Sequence, residues 1–242
     1  MAALIESGVL LRERSEPVWS RPPLQVIRRR GLGYRAGLEL MEQAVAQVKS
    51  GGTETLLLME HPPVITLGRS AERHHVLAAP DLLMRSGVEV VATGRGGDVT
   101  YHGPGQLVGY PVLDLNPDRR DVYRYVRDLE EVLLRTLADF GILGTRVTSR
   151  TGVWIQEPGP AGGCARKIAA IGVRISRWVT SHGFALNLAP DLAHFGWIVP
   201  CGLADAGITS MRLELGREPD WFEVEQSILQ HLAEVFDREV QA

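Results

Sequence analysis

The chain has 242 residues, of which 45% are hydrophobic and 23% charged, with a formal net charge of −3. That balance describes an ordinary globular chain and excludes a polybasic nucleic-acid binder. No apolar run approaches the ~18 residues of a membrane span, and the first residues lack the basic start and apolar core of a secretory signal. Two cysteines imply no disulfide framework, so a cytoplasmic location, where thiols stay reduced, is expected.

Residues 1–22 mix charged and apolar side chains without a sustained period and read as an extension before a domain spanning 23–242. A strand is predicted at Leu24–Ile27. A helix of about 15 residues follows, with apolar positions Tyr34, Leu38, Met41, Val45 and Val48, closed by Gly51-Gly52. Strands are predicted at Leu56–Met59, Val64–Leu67, Val88–Ala92, Val99–His102 and Leu107–Leu113, with a short helix at Asp81–Ser86. Asp121 caps a long helix whose stripe is Val122, Val126, Leu129, Leu133, Leu137 and Phe140, with Gly141 following as the C′ residue. Strands near Val153–Ile155, Ile168–Ile175 and Thr180–Leu188 come next, the last two joined by a turn near Arg177–Val179. A final helix runs from Asp220, paired with Glu223 as in a capping box, to about Asp237. Irregularly interspersed helices and strands, without strict βαβ alternation, indicate a single α+β domain with a mixed β-sheet flanked by helices.

Two residues stand out for their chemistry. Cys201 lies between Pro200 and Gly202, on a constrained turn where backbone can approach a substrate closely. Lys167 is one of two lysines against twenty-four arginines. It opens the apolar run Ile168–Val173, and lysine can give up its proton where arginine effectively cannot. A nucleophile and a tunable base are therefore both available. Their plainer readings are a small buried hydrophobe for the cysteine and a packed stem with a solvated head for the lysine.

The segment Gly94-Arg95-Gly96-Gly97-Asp98-Val99-Thr100-Tyr101-His102-Gly103-Pro104-Gly105-Gln106 is the densest mixture of glycine and polar residues. It is neither a P-loop nor a dinucleotide fingerprint. It is a hairpin with tight turns or a ligand-binding unit, in which glycines admit close backbone approach and Arg95, Tyr101 and His102 supply polar contacts. Ala170, Gly172, Gly183 and Ala185 either line a slot for a slim apolar chain or permit close sheet packing.

Glu60–Arg69, Gly94–Gln106, Arg166–Arg174, His182–Asn187 and Ile198–Leu203 resemble, in order, spacing and residue type, the signature segments of the lipoyl(octanoyl) transferases. The resemblance covers roughly residues 24–240 and departs at the N-terminal extension and at the Pro/Gly-rich loop 157–164 that carries Cys164. It implies the α+β fold of the biotin and lipoate ligases. It implies transfer of an octanoyl group from octanoyl-acyl carrier protein, through a cysteine thioester, to a lysine of lipoyl domains. This is the first step of endogenous protein lipoylation. By the same resemblance Cys201 is the acylated cysteine and Lys167 the lysine that tunes it. Arg95, Gly96, Gly97, Asp98, Val99, Thr100, Tyr101, His102, Ala170, Ile171, Gly172, Gly183, Phe184 and Ala185 match the substrate-binding stretches. The partners it implies are octanoyl-acyl carrier protein as donor and, as acceptors, lipoyl domains of 2-oxoacid dehydrogenases and the glycine cleavage H protein. Arg69, Arg73 and Arg95 are expected to steer these acidic carriers. No cofactor, metal, nucleic acid or membrane is expected, and the chain is expected to be a monomer.

Three other classes fit parts of the pattern. An ATP-dependent lipoate or biotin ligase would share the fold and use a lysine but would not need Cys201. A cysteine hydrolase would use His102 or His182 as base. A lipid-binding module would bind octanoate without forming a covalent acyl-protein.

Overall fold

The computed structural model describes residues 23–117, 119–156, 165–199 and 207–241. The N-terminal extension, Cys164 and Cys201 lie outside the described residues.

The strands of the main sheet are β1 (Leu24–Arg30), β2 (Thr55–Glu60), β6 (Gln106–Val112), β7 (Thr145–Val147), β8 (Arg150–Gln156), β9 (Ala165–Ser176), β10 (Val179–Asn187), β11 (Gly207–Ile208) and β12 (Val240–Gln241). Their order is β12-β1-β2-β6-β10-β9-β8-β7, with β11 paired to β9. The sheet is mixed. β1 runs parallel to β2 and β12, and β11 runs parallel to β9, while β2, β6, β10, β9, β8 and β7 pair antiparallel in turn. A second sheet holds β3 (Val64–Leu67) between β4 (Glu89–Ala92) and β5 (Val99–His102).

Helix α1 (Tyr34–Lys49) covers one face of the main sheet. Its Met41, Ala44 and Val48 pack on Leu57, Met59, Val108, Tyr110 and Ala185. Helices α3 (Val122–Asp139) and α5 (Trp221–Phe236) cover the other face through Leu129, Leu133, Leu137, Val224, Ile228 and Leu232. Both carry the expected caps. The Asp121 carboxylate accepts from the Arg124 amide at 3.0 Å and that of Asp220 from the Glu223 amide at 2.9 Å, each satisfying one orphan donor of a first turn. Gly141 has φ +76, the left-handed geometry that ends a helix. The second sheet rests on its own cluster, in which Ile65, Val99 and Tyr101 meet Leu83, Phe195 and Ile198.

Several elements differ from the sequence expectation. Val122 is 50% exposed; the buried stripe of α3 starts at Tyr125, because the first residue after the cap faces outward. β7, β11, β12 and the short helices α2 (Pro80–Arg85) and α4 (Met211–Leu215) span two to six residues each. Of these only α2 was anticipated, since elements so short carry too little periodicity to be read. The β9–β10 turn places Arg177 (φ 53) and Trp178 (φ 64) both in the left-handed region. That is the geometry which matches hairpin twist and normally selects Asn-Gly. Packing of Trp178 against the α3–α5 core supports the unusual choice.

Candidate active site

Strand β9 places Lys167. The pairing of β8 with β9 slips between Val153 opposite Ala169 and Trp154 opposite Lys167. A bulge of this kind breaks the in–out alternation of a strand. Ile168 and Ala169 both fall in the core, while Lys167 and Ala170 both line a cavity on the α1 side. Lys167 is only 6% exposed. Its Nζ lies 4.5 Å from the centroid of the Trp154 indole, a distance at which the ring face attracts a cation.

The cavity has a volume of about 380 Å³. Its floor consists of cross-strand rows: Ala170 opposite Ala185 with Val108 beyond, then Gly172 opposite Gly183 beside Tyr110. Its roof is the glycine-rich segment from Arg95 to Thr100, with His102 and Tyr34. Arg95 holds this roof down. Its guanidinium donates to the Thr66 carbonyl at 2.6 Å, to Thr66 Oγ1 at 3.0 and 3.2 Å, and to its neighbour's carbonyl, that of Gly96, at 3.1 Å. The Gly96 amide donates to the Val173 carbonyl at 2.9 Å. A Cβ at Gly172 would sit 3.0 Å from the Gly96 carbonyl oxygen and 3.3 Å from Arg95 Cδ. A Cβ at Gly183 would instead meet the Gly109 carbonyl and lie 2.7 Å from Pro111 Cδ. Of the two readings open for these glycines, Gly172 therefore serves the cavity and Gly183 the packing of β10 on β6.

The uncharged polar groups around the cavity are joined in a network. Gln106 Nε2 donates to Asn187 Oδ1 at 2.9 Å, leaving Gln106 Oε1 to accept from His102 Nδ1 at 2.6 Å. The same logic makes His61 an Nδ1–H donor to the Leu32 carbonyl at 2.8 Å, with Nε2 accepting from the Tyr110 hydroxyl at 3.2 Å. Burial pushes the His102 pKa down to about 3, with His61 and Arg95 adding to the shift and the Gln106 bond opposing it. Burial also pushes His182 down to about 4, helped by Arg95 and Arg174, and lowers His61. At neutral pH these rings carry no charge, which suits an apolar guest.

Lys167, Arg95, Gly96, Gly97, Asp98, Val99, Thr100 and His102 line this one cavity together with Ala170, Ile171, Gly172, Gly183, Phe184 and Ala185. Tyr101 does not. It lies on the opposite side of β5, buried against Phe195, with its hydroxyl 2.8 Å from His194 Nδ1. Strand alternation sends it away from the face that Thr100 and His102 share. Arg95 is buried, so it cannot act as an exposed steering charge; Arg69 and Arg73 are exposed. Sequence reasoning assigned no site role to Tyr34, Tyr110 or His61. Tyr34 stacks on His102 with centroids 5.8 Å apart, yet in the sequence it was one more apolar position on a helical stripe.

Cys201 lies outside the described residues, but the chain on both sides of it is anchored. The Val199 amide donates to the His75 carbonyl at 2.8 Å. Downstream, Gly207 pairs with Arg166 and Ile208 with Lys167. The Thr209 amide donates to the Lys167 carbonyl at 3.0 Å, and Asn187 Nδ2 donates to the Thr209 carbonyl at 2.9 Å.

Among the described residues no group of three or more His, Cys, Asp or Glu side chains could hold a metal ion, and no described helix is long and apolar enough to cross a membrane. The chain is 51% identical over 210 residues to the octanoyltransferase of Solibacter usitatus, covering 86% of this chain and 91% of that one. It is 52% identical over 207 residues to the octanoyltransferase of Myxococcus xanthus, covering 85% of this chain but 57% of that longer relative. A solved lipoate-protein ligase A bound with ATP has the same fold, with a TM-score of 0.70 over 91% of this chain and 87% of its own, at 13% identity. Residues 33–233 match the model of the lipoyl protein ligase A/B catalytic domain, and the chain belongs to that family.

Proposed function

We propose that this protein transfers an octanoyl group from octanoyl-acyl carrier protein to a lysine of a lipoyl domain, by way of a thioester on Cys201. The observation that carries the proposal is the cavity itself: a slot floored by alanine and glycine and edged by uncharged histidines, beginning at the buried Lys167. An eight-carbon chain offers about six methylenes at roughly 0.8 kcal/mol each, so its burial there would supply several kcal/mol. The names of the relatives at about half identity agree with this reading. The likeness to a ligase that binds ATP is one of fold.

The chemistry needs no ATP. The Cys201 thiolate attacks the carbonyl carbon of the carrier thioester, a C–S bond forms, and the carrier's sulfur leaves, taking a proton from the Lys167 ammonium. The acceptor amine then attacks the acyl-enzyme carbonyl and yields a proton to Lys167, while the Cys201 thiolate leaves. Lysine and cysteine are each returned to their starting state. An ammonium about 4 Å from a thiolate interacts by about 4 kcal/mol at an effective dielectric near 20, enough to enrich the thiolate. The acceptors fit lipoyl domains of 2-oxoacid dehydrogenases and the glycine cleavage H protein, and a cytoplasmic monomer fits these partners.

Incubation with octanoyl-acyl carrier protein and a lipoyl domain, without nucleotide, should add one octanoyl mass to the domain. Labelling that requires both octanoate and ATP, and survives Cys201→Ala, would select the ligase reading instead.

A further inference from the structure

His182 stands between two cavities. It lines the slot that begins at Lys167 and also a second cavity of about 360 Å³ bounded by Leu38, Met41 and Val45 of α1 and by Arg174 and Ser181. The strand register gives its place along the slot. From the level of Asn187, beside Lys167, the floor passes the Ala170–Ala185 row and then the Gly172–Gly183 row, and the next row is Arg174–Ser181, already in the second cavity. At about 3.3 Å per residue the Asn187 and Gly183 levels are ~13 Å apart. An extended eight-carbon chain is about 9 Å long, seven carbon–carbon bonds of ~1.5 Å in zigzag. Such a chain, starting at the lysine end, finishes between the Ala170–Ala185 and Gly172–Gly183 rows, ~4 Å short of the Gly183 level, where the His182 ring closes the way onward.

The backbone at His182 is built to put the ring there. Its pairing partner Val173 packs with the α3–α5 core, so plain alternation would send His182 to that face too. Instead it adopts φ +56, a left-handed conformation that is uncommon for a residue with a side chain. The ring turns to the α1 face, edge-on to Tyr110 with centroids 6.1 Å apart, and its amide meets Met41 Sδ at 3.0 Å. The side chain is 4% exposed, and Nδ1 has no hydrogen-bond partner among the described residues. Backbone strain and an unmet buried nitrogen at one residue mark a position held for function rather than for stability.

We propose that His182 is the end wall of the acyl slot and limits the length of chain it accepts, a proposal that rests on the acyl-transfer reading for the nature of the guest. Removing the ring would join the two cavities and admit chains of ten to fourteen carbons.

The test is calorimetric binding of octanoic, decanoic, dodecanoic and tetradecanoic acids to the wild type, to His182→Gly and to His182→Asn. Glycine suits a positive φ and asparagine tolerates it, so the second variant serves if the first does not fold. Each further methylene buried is worth about four-fold in affinity. The twelve-to-eight-carbon affinity ratio should therefore rise at least ten-fold over wild type in His182→Gly, and by a smaller factor in His182→Asn. A ratio within two-fold of wild type in the folded variants would overturn the proposal, including the case where all chains weaken together. A parallel competition between octanoyl- and dodecanoyl-carrier protein reads transfer separately. Failure of the wild type to transfer octanoyl would sink the functional reading while the binding ratios still decide the wall.

Discussion

Lys167 and Trp154 face each other across β8 and β9, with the lysine Nζ 4.5 Å from the centre of the indole. The ring holds the side chain in place, and the Lys167 carbonyl anchors the Thr209 amide just past the segment that carries Cys201. Lysine position and cysteine segment are thus tied through one residue. Arginine would keep the charge but not the proton chemistry, and its planar fork is wider than an ammonium. Lys167→Arg and Lys167→Ala should each lower transfer by at least 100-fold with an unchanged circular dichroism spectrum. In Lys167→Ala, alkylation of Cys201 should also require higher pH. An alkylation profile that does not move would remove Lys167 from control of the thiolate.

Gly172 lies under the roof, where even a Cβ would press on the Gly96 carbonyl. Gly172→Val should displace the Arg95 segment and cut transfer sharply, with the surviving activity shifted towards shorter acyl groups. Ala185→Leu should act alike, because Ala185 lines the same floor. Acyl-chain competition measured on both variants is the check. Unchanged selectivity in folded protein would place the slot elsewhere.

The buried histidines set a pH dependence of stability. His102 and His182 are held at about 3 and about 4, below the ordinary value of 6.5. As pH falls below 6.5 the unfolded chain takes up protons that the folded state refuses. Stability should therefore decline from about pH 6.5 towards pH 4, by about 1.4 kcal/mol per pH unit for each fully differing proton. His182→Asn should make the decline shallower in thermal melts taken across this range. An equal slope in the variant would mean that His182 titrates normally.

Much of this arrangement was legible in the sequence. Helix periodicity and the Asp121 and Asp220 caps located α1, α3 and α5 because long amphipathic elements repeat their signal. Lys167, the glycine-rich segment and the small residues of β9 and β10 could be picked out from their chemistry and from the resemblance. What could not be read was direction. The slip in β9 that turns Lys167 towards the slot, and the left-handed backbone at His182, are single-residue breaks in alternation. They depend on what packs from distant elements, such as Met41 of α1. For the same reason Tyr101, next to His102, was assigned to the slot although regular alternation sends it to Phe195. Arg95 read as a surface cation because its partner Thr66 lies on another strand.

Exposed charge should govern carrier docking. Arg69 and Arg73 are both exposed, and the chain as a whole is slightly negative, so attraction must be local. Arg69→Glu and Arg73→Glu should raise KM for the acyl carrier several-fold while leaving turnover of a small octanoyl thioester nearly unchanged. The wild-type KM should also rise with salt, since exposed charges are screened beyond about 8 Å at physiological ionic strength. A salt-independent KM, insensitive to both reversals, would mean that docking uses another face.

The central claim is a covalent octanoyl-enzyme on Cys201, and intact mass spectrometry tests it most directly. Wild type mixed with octanoyl-acyl carrier protein, without acceptor or nucleotide, should gain a single octanoyl mass that maps to the peptide containing Cys201. Cys201→Ala should gain none and should transfer nothing to a lipoyl domain. An adduct on Cys164, or transfer that persists in Cys201→Ala, would contradict the account.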